Sequence, residues 1–179
     1  DRCGGGIGQE GAGQHPGVLD LVAANDLGTS DNVVYLLKYD TVYGRYEKTV
    51  EVTEDGSLIV GGHRLALLRG PQPAHLPWKS LAVDIVFECT GAFTKREDLD
   101  NHIRAGAKYV ILSAPSKSED VETIVHGVNA PQGRTGIISC ASCTTNCITP
   151  VMEILGRRIR RLHDEDVGAA DVLVDLKRD

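Results

Sequence analysis

Strand-like and helix-like segments alternate along the second half of the chain, and that alternation most restricts the folds open to it. Val83 to Cys89 is a near-continuous apolar run of the kind that makes a buried strand, and Lys95 to Ala105 has the pattern of a polar-faced helix. Tyr109 to Ala114 reads as another strand, with Ile124 to Val128 and Ile137 to Cys140 as two shorter ones. Strands alternating with helices imply an α/β fold built on a doubly wound parallel sheet. In such sheets ligands lie beyond the carboxyl ends of the strands. The residues just past each strand therefore matter most: Thr90-Gly91, Ser113-Ala114 and Ser142-Cys143 here, and Asp26 in the first half.

The first half adds a strand, a helix and an antiparallel excursion. Val18 to Ala24 is an apolar run broken by Asp20 and ending in Asn25-Asp26, as a parallel strand would. Asp31 to Tyr39 has helical spacing, with Asp31 as its expected cap. Lys48 to Val52 and Leu58 to Val60 alternate around Glu54-Asp55-Gly56, which supplies the glycine of a tight hairpin. His63 to Leu68 joins them as a third strand, and Trp78 anchors the proline-rich loop Pro71 to Pro77 against the core. Ahead of all this, Gly6, Gly8 and Gly11 satisfy a G-x-G-x-x-G pattern, but only two residues precede Cys3 and Pro16-Gly17 follow closely. The glycines read equally well as a phosphate-cradling turn or as a glycine-rich chain end. Asp26 lies about 20 residues beyond them, where a carboxylate can accept hydrogen bonds from an adenosine ribose and repel a 2′-phosphate.

Cys143 is the expected reactive group. It sits in Ser139-Cys140-Ala141-Ser142-Cys143-Thr144-Thr145-Asn146-Cys147, after the apolar pair Ile137-Ile138 and before apolar residues at helical spacing, among them Ile148, Val151, Ile154 and Leu155. A thiol at a helix start faces free N–H groups whose partial positive charge favours the thiolate. Cys147, one turn further on, reads as a buried packing residue. A metal or iron–sulfur site built on Cys140, Cys143 and Cys147 lacks an evident fourth ligand nearby.

The 179 residues carry a net charge of −6 and five cysteines. That charge gives no electrostatic reason to expect nucleic acid or an anionic membrane as partner. No run approaches the roughly 18 apolar residues of a membrane span, and an odd cysteine count crowded near residue 143 fits a reducing compartment, so the expectation is cytoplasmic.

Several landmarks occur together and in order: Leu36-Leu37-Lys38-Tyr39-Asp40-Thr41, Leu76-Pro77-Trp78-Lys79, Glu88-Cys89-Thr90-Gly91-Ala92-Phe93, His102-Ile103-Arg104-Ala105-Gly106-Ala107-Lys108, Ser113-Ala114-Pro115-Ser116-Lys117 and Ala141 through Cys147. With them the chain resembles phosphorylating glyceraldehyde-3-phosphate dehydrogenases over roughly residues 18 to 159, the NAD-binding half of that family. Erythrose-4-phosphate dehydrogenases have a similar signature. The resemblance implies a Rossmann-like sheet over residues 1–159 and a divergent tail over 160–179. It implies that Cys143 attacks an aldehyde phosphate, that hydride passes to NAD, and that inorganic phosphate releases the thioester as an acyl phosphate. Asp26, Thr90, Gly91, Phe93 and Ser113 would contact NAD, and Ser142 and Thr144 the attacking phosphate. The family's glycine turn falls on Cys3, Gly5, Ile7 and Gly8, giving Gly5 and Gly8 as further cofactor contacts.

The departures are as informative as the matches. Cys3 stands where the family's first glycine belongs, Gly6 and Gln9 replace basic residues, and Pro71 replaces an arginine near the adenine. The resemblance also implies that the opening strand and the catalytic domain with its proton-accepting histidine are missing; His163, in a charged run, is given no catalytic role. The expectation is an incomplete chain with little activity, or alternatively a non-catalytic NAD-binding module. The family's homotetramer is correspondingly doubtful for it.

Overall fold

The computed structural model describes residues 19–133 and 135–165, with backbone only for 160–165. Gly5, Gly8 and the tail beyond residue 165 lie outside the described residues. Strand β1 (Ala23–Asn25) leads to α1 (Ser30–Lys38), a short ribbon of β2 (Tyr39–Asp40) and β3 (Gly44–Arg45), and the strands β4 (Val50–Val52), β5 (Leu58–Val60) and β6 (His63–Leu68). A 3-10 turn at Pro73–His75 precedes β7 (Ile85–Glu88), α2 (Arg96–Arg104), β8 (Tyr109–Leu112), β9 (Glu122–Thr123), β10 (Ile137–Ser139) and α3 (Cys143–Glu165). The α/β reading and the antiparallel excursion both hold. Among the described residues one sheet runs β1-β6-β5-β4 and the other β7-β8-β10-β9.

In the second sheet every pairing is parallel, and Glu88, Leu112 and Ser139 stand side by side at its carboxyl edge. In the first, β1 pairs parallel to β6 while β6, β5 and β4 pair antiparallel. The hairpin between β4 and β5 closes through Thr53 and Ser57, whose backbones bond at 2.9 Å, and Gly56 takes φ +81°, a left-handed conformation that glycine adopts without a side-chain clash. Asp55 inside this turn accepts from Thr53 and Ser57 and pairs with Arg64; the Thr53 hydroxyl above all pulls its carboxyl down to about 2.

Burial follows the apolar pattern. Val33 of α1 packs with Val50, Leu58, Val60 and Leu65 of the excursion. Trp78, as expected, anchors its loop: it is buried with Leu76, Val83, Val86 and Ala107, and Val22, Ala23 and Leu68 of the first sheet pack against that cluster. Leu99 of α2 is fully buried against Val110, Leu112 and Ile137.

Four expectations need correction. The cap of α1 is Thr29, whose hydroxyl accepts from the Asn32 N–H at 3.3 Å; Asp31 lies within the first turn. The strand at Ile124 to Val128 is not formed. The paired residues are Glu122–Thr123, and Asn129 takes the backbone groups beyond them, accepting from Val125 N at 2.7 Å and donating to Thr123 O at 2.9 Å. Phe87 is 54% exposed, so β7 is buried on one face and not on both. Cys147 is exposed, because α3 leaves its apolar residues Ile148, Val151, Ile154 and Leu155 uncovered among the described residues.

Candidate functional site

The parallel register brings three of the expected segments to one edge. Glu88, Leu112 and Ser139 end β7, β8 and β10 in step, so Thr90-Gly91, Ser113 and Ser142-Cys143 all follow at the carboxyl side. The backbone continues this alignment past the strands: Ser113 N–H donates to Glu88 O at 3.0 Å and Cys140 N–H to Leu112 O at 2.8 Å. Asp26 occupies the matching place after β1, with its N–H on Leu68 O at 3.0 Å.

Cys143 is the first residue of α3 and is exposed. The residue before it caps the helix: Ser142 Oγ accepts from Thr145 N–H at 3.0 Å and lies 2.8 Å from the Thr145 hydroxyl. Asn146 N–H reaches Ser142 O at 2.9 Å, the first bond of the helical ladder. A helix leaves its first N–H groups without partners in its own ladder, and here the cap takes that of Thr145. Thr144 is exposed, so its hydroxyl is open to a ligand.

The approach to the thiol is built from groups that the sequence reading passed over. Ser139, fully buried, donates from Oγ to Ala114 O at 2.7 Å and accepts from Ala141 N–H at 3.1 Å, which ties the end of β10 to the loop after β8. Ala141 adopts φ +62°, a left-handed conformation unusual for a residue with a Cβ and one that recurs at functional sites. The Asn146 side chain holds that conformation by donating to Cys140 O at 2.6 Å and Ser142 O at 2.9 Å. Neither Ser139 nor Asn146 belongs to a hydrophobic pattern; the available signal was the run of hydrogen-bonding residues on both sides of Cys143. Burial and the neighbouring Cys89 push the Cys140 thiol above its ordinary range.

At the end of β7 a turn carries Thr90, Gly91 and Phe93. Thr90 N–H donates to Glu88 Oε1 at 2.8 Å, the Thr90 hydroxyl bonds the same oxygen, and Ala92 N–H donates to Thr90 Oγ1 at 3.1 Å. Gly91 takes φ +70°, and a Cβ placed on it would meet nothing within 4 Å, so the turn opens onto free space. Thr90 and Gly91 are exposed and Phe93 is half-buried. Ser113 is also exposed.

Asp26 is exposed in a turn of its own. One carboxylate oxygen accepts from Gly28 N–H at 2.7 Å, and Arg69 braces the turn through Gly28 O at 2.5 Å and the Ser30 hydroxyl at 2.6 Å. The second carboxylate oxygen has no partner among the described residues, which leaves an acceptor at a strand end for a hydroxyl-bearing ligand. The clamp beside it is Asn25, whose side chain bonds both backbone groups of Gly70 at 2.8 and 3.0 Å. An open turn with left-handed glycine and a helix start at the carboxyl edge of the second sheet, and at a strand end of the first sheet a carboxylate oxygen without a partner among the described residues, suit the parts of a dinucleotide.

Among the described residues no helix is long and apolar enough to cross a membrane, and no group of three or more histidine, cysteine or acidic side chains is placed to hold a metal. All four described cysteines are free thiols.

Residues 6–96 match the family model for the glyceraldehyde 3-phosphate dehydrogenase NAD binding domain. Glyceraldehyde-3-phosphate dehydrogenase 2 of Bacillus subtilis is 49% identical over 140 residues, covering 76% of this chain and 41% of that protein. The glyceraldehyde-3-phosphate dehydrogenases of Streptomyces coelicolor and Thermotoga maritima are 47% and 48% identical, with the same coverage. The chain thus spans 41% of the length of these relatives. A family match over half the chain, on a parallel sheet whose strand ends converge on one edge, places it: the chain belongs to the glyceraldehyde-3-phosphate dehydrogenase family and carries that family's NAD-binding domain.

Proposed function

We propose that the chain binds NAD at the carboxyl edge of its sheets and presents Cys143 for attack on an aldehyde phosphate. Asp26 holds the adenosine ribose through its free oxygen, the Thr90–Gly91 turn with Phe93 and Ser113 line the cofactor, and Gly5 and Gly8 contribute from outside the described residues. When bound, NAD supplies the hydride acceptor. The Cys143 thiolate adds to the carbonyl carbon, and loss of hydride from that carbon leaves a thioester on the sulfur. Inorganic phosphate, held by the Ser142 and Thr144 hydroxyls near the helix start, then displaces the sulfur, giving an acyl phosphate and returning the thiolate. The NAD-binding unit extends over residues 1–159, although α3 runs on without a break to Glu165. The four cysteines among the described residues, all free thiols, support a reducing, cytoplasmic setting.

The observation that carries this reading is the exposed thiol at the first position of a capped helix. No histidine among the described residues hydrogen-bonds Cys143, and that favours a second reading in which the unit binds NAD without turning over. General-base assistance contributes about 10²–10⁴-fold in rate, so turnover by this chain is expected to be slow by that order. Titrating the chain with NAD, then adding glyceraldehyde 3-phosphate and phosphate and following NADH absorbance, separates the readings. Slow NADH formation that disappears in Cys143→Ser supports the dehydrogenase; saturable NAD binding with no NADH supports the binding module. No NAD binding at all overturns both.

A further inference from the structure

A buried polar chain runs from Trp78 to the back of the Thr90 turn. Trp78 Nε1–H donates to His102 Nδ1 at 3.0 Å, and His102 Nε2 lies 3.1 Å from Glu88 Oε2. Glu88 Oε1 then takes both the N–H and the hydroxyl of Thr90. Glu88 and His102 are each 3% exposed and Trp78 5%, so the whole path lies out of water until it reaches the turn.

The order of donors is fixed by chemistry. An indole nitrogen can only donate, so His102 Nδ1 must accept, and the ring proton therefore sits on Nε2 and points at Glu88. Glu88 in turn must be an ionised acceptor, because every group around its oxygens is a donor. The carboxylate is thus saturated from inside by His102 and from outside by Thr90, and Thr90 Oγ1 passes the constraint on to Ala92 N–H at 3.1 Å. A buried carboxylate carries a large desolvation penalty unless it is fully bonded, and removing it alone would leave the buried donors of His102 and Thr90 without an acceptor. Trp78 comes from the loop after the 3-10 turn, His102 from α2 and Glu88 from β7, so three separate elements converge on this one turn.

We propose that Glu88, supported by His102 and Trp78, is the positioning residue that fixes the Thr90–Gly91–Ala92 turn in the geometry that receives the nucleotide. The inference rests on the reading that this turn borders NAD. Glu88 itself is buried behind the turn and touches no ligand. Replacing it by glutamine keeps the shape and breaks the relay: the amide must turn its NH2 toward His102 or Thr90. Facing His102, it forces the ring proton onto Nδ1, against the Trp78 N–H. Facing Thr90, it opposes the Thr90 N–H.

The test is backbone amide exchange and NAD titration on the full 179-residue chain, in wild type and in Glu88→Gln, Thr90→Val and Thr90→Ser. Amide exchange at Thr90 and Ala92, measured without NAD, is expected to quicken about tenfold in Glu88→Gln and at Ala92 in Thr90→Val, while Val110 and Leu112 of the neighbouring strand stay protected. Thr90→Ser, which keeps both bonds, should match wild type. Trp78 is the single tryptophan, so its emission should change in Glu88→Gln and not in Thr90→Val, a signature that general loosening would not produce. The NAD Kd should rise about tenfold in both damaging variants. Unchanged exchange at Ala92 in Thr90→Val overturns the proposal, and so does unchanged exchange at Thr90 in Glu88→Gln if that variant folds. If wild type fails to bind NAD, the reading of the crevice falls, while exchange in the NAD-free protein still decides whether Glu88 fixes the turn.

Discussion

Ser142 Oγ accepts the Thr145 backbone N–H at 3.0 Å, and this bond fixes where the helix bearing Cys143 begins. Ser142→Ala removes the acceptor and leaves an N–H of the first turn unsatisfied, which typically costs about 1 kcal/mol of stability. The frayed start would also loosen the N–H groups around Cys143. Alkylation of Cys143 by iodoacetamide at neutral pH should therefore slow several-fold in Ser142→Ala and much less in Ser142→Thr, which keeps a capping hydroxyl. Equal rates in all three proteins would show that the cap does not govern the thiol.

The cysteines near the site differ in environment, and their order of reaction follows. Cys143 and Cys140 are both exposed, but Cys143 stands at a helix start, while partial burial of the thiol and the neighbouring Cys89 push Cys140 upward, so less of it is thiolate near neutral pH. Iodoacetamide should modify Cys143 first and Cys140 last among Cys140, Cys143 and Cys147. Site-resolved mass spectrometry over a time course checks this; equal rates in the native protein would mean that the helix start exerts no influence.

Much of the framework was legible because it rests on local rules. The hairpin at Glu54-Asp55-Gly56, the strands β7, β8 and β10 and the helix α2 each follow from apolar spacing and a turn signal, and the structure places them within a residue or two. What escaped depends on partners distant in sequence. Asn129 ends a strand early by bonding backbone groups that an apolar run had seemed to offer to a neighbour. Cys147 reads as a core residue by type, yet its burial depends on what lies over α3, and the apolar positions around it are exposed. Glu88 and His102, 14 residues apart, look like two ordinary polar residues until β7 and α2 bring them to 3.1 Å.

Leu99 joins α2 to the parallel sheet with no exposed surface. Leu99→Ala would open a cavity among Val110, Leu112 and Ile137 and should cost about 2–5 kcal/mol, read as a lower urea midpoint. Phe87, more than half exposed on the opposite side, provides the contrast: Phe87→Ser should change stability by under about 1 kcal/mol. A comparable loss at both positions would indicate that the exposed face of β7 is covered in solution.

The Glu88 carboxylate makes stability depend on acid in a predictable direction. Burial pushes its carboxyl upward, but the hydrogen bonds from His102 and Thr90 outweigh that and hold it below its ordinary 4.5. A group depressed on folding binds fewer protons in the native than in the unfolded state, so stability rises with pH across the interval between its two values. The contribution is complete above 4.5 and is lost as pH falls through the folded value. Asp40 and Asp55 are lowered too and add to the acid sensitivity, so the absolute slope does not isolate Glu88. The difference between wild type and Glu88→Gln does, since only Glu88 ceases to titrate. Urea unfolding followed by Trp78 emission should show glutamine costing most near neutral pH, with the gap narrowing by up to about 1.4 kcal/mol per pH unit below 4.5. A gap that stayed constant with pH would mean that folding leaves the proton affinity of Glu88 unchanged, and one that widened as pH fell toward 4.5 would mean that Glu88 is protonated in the fold and the donor order from Trp78 to Thr90 wrong.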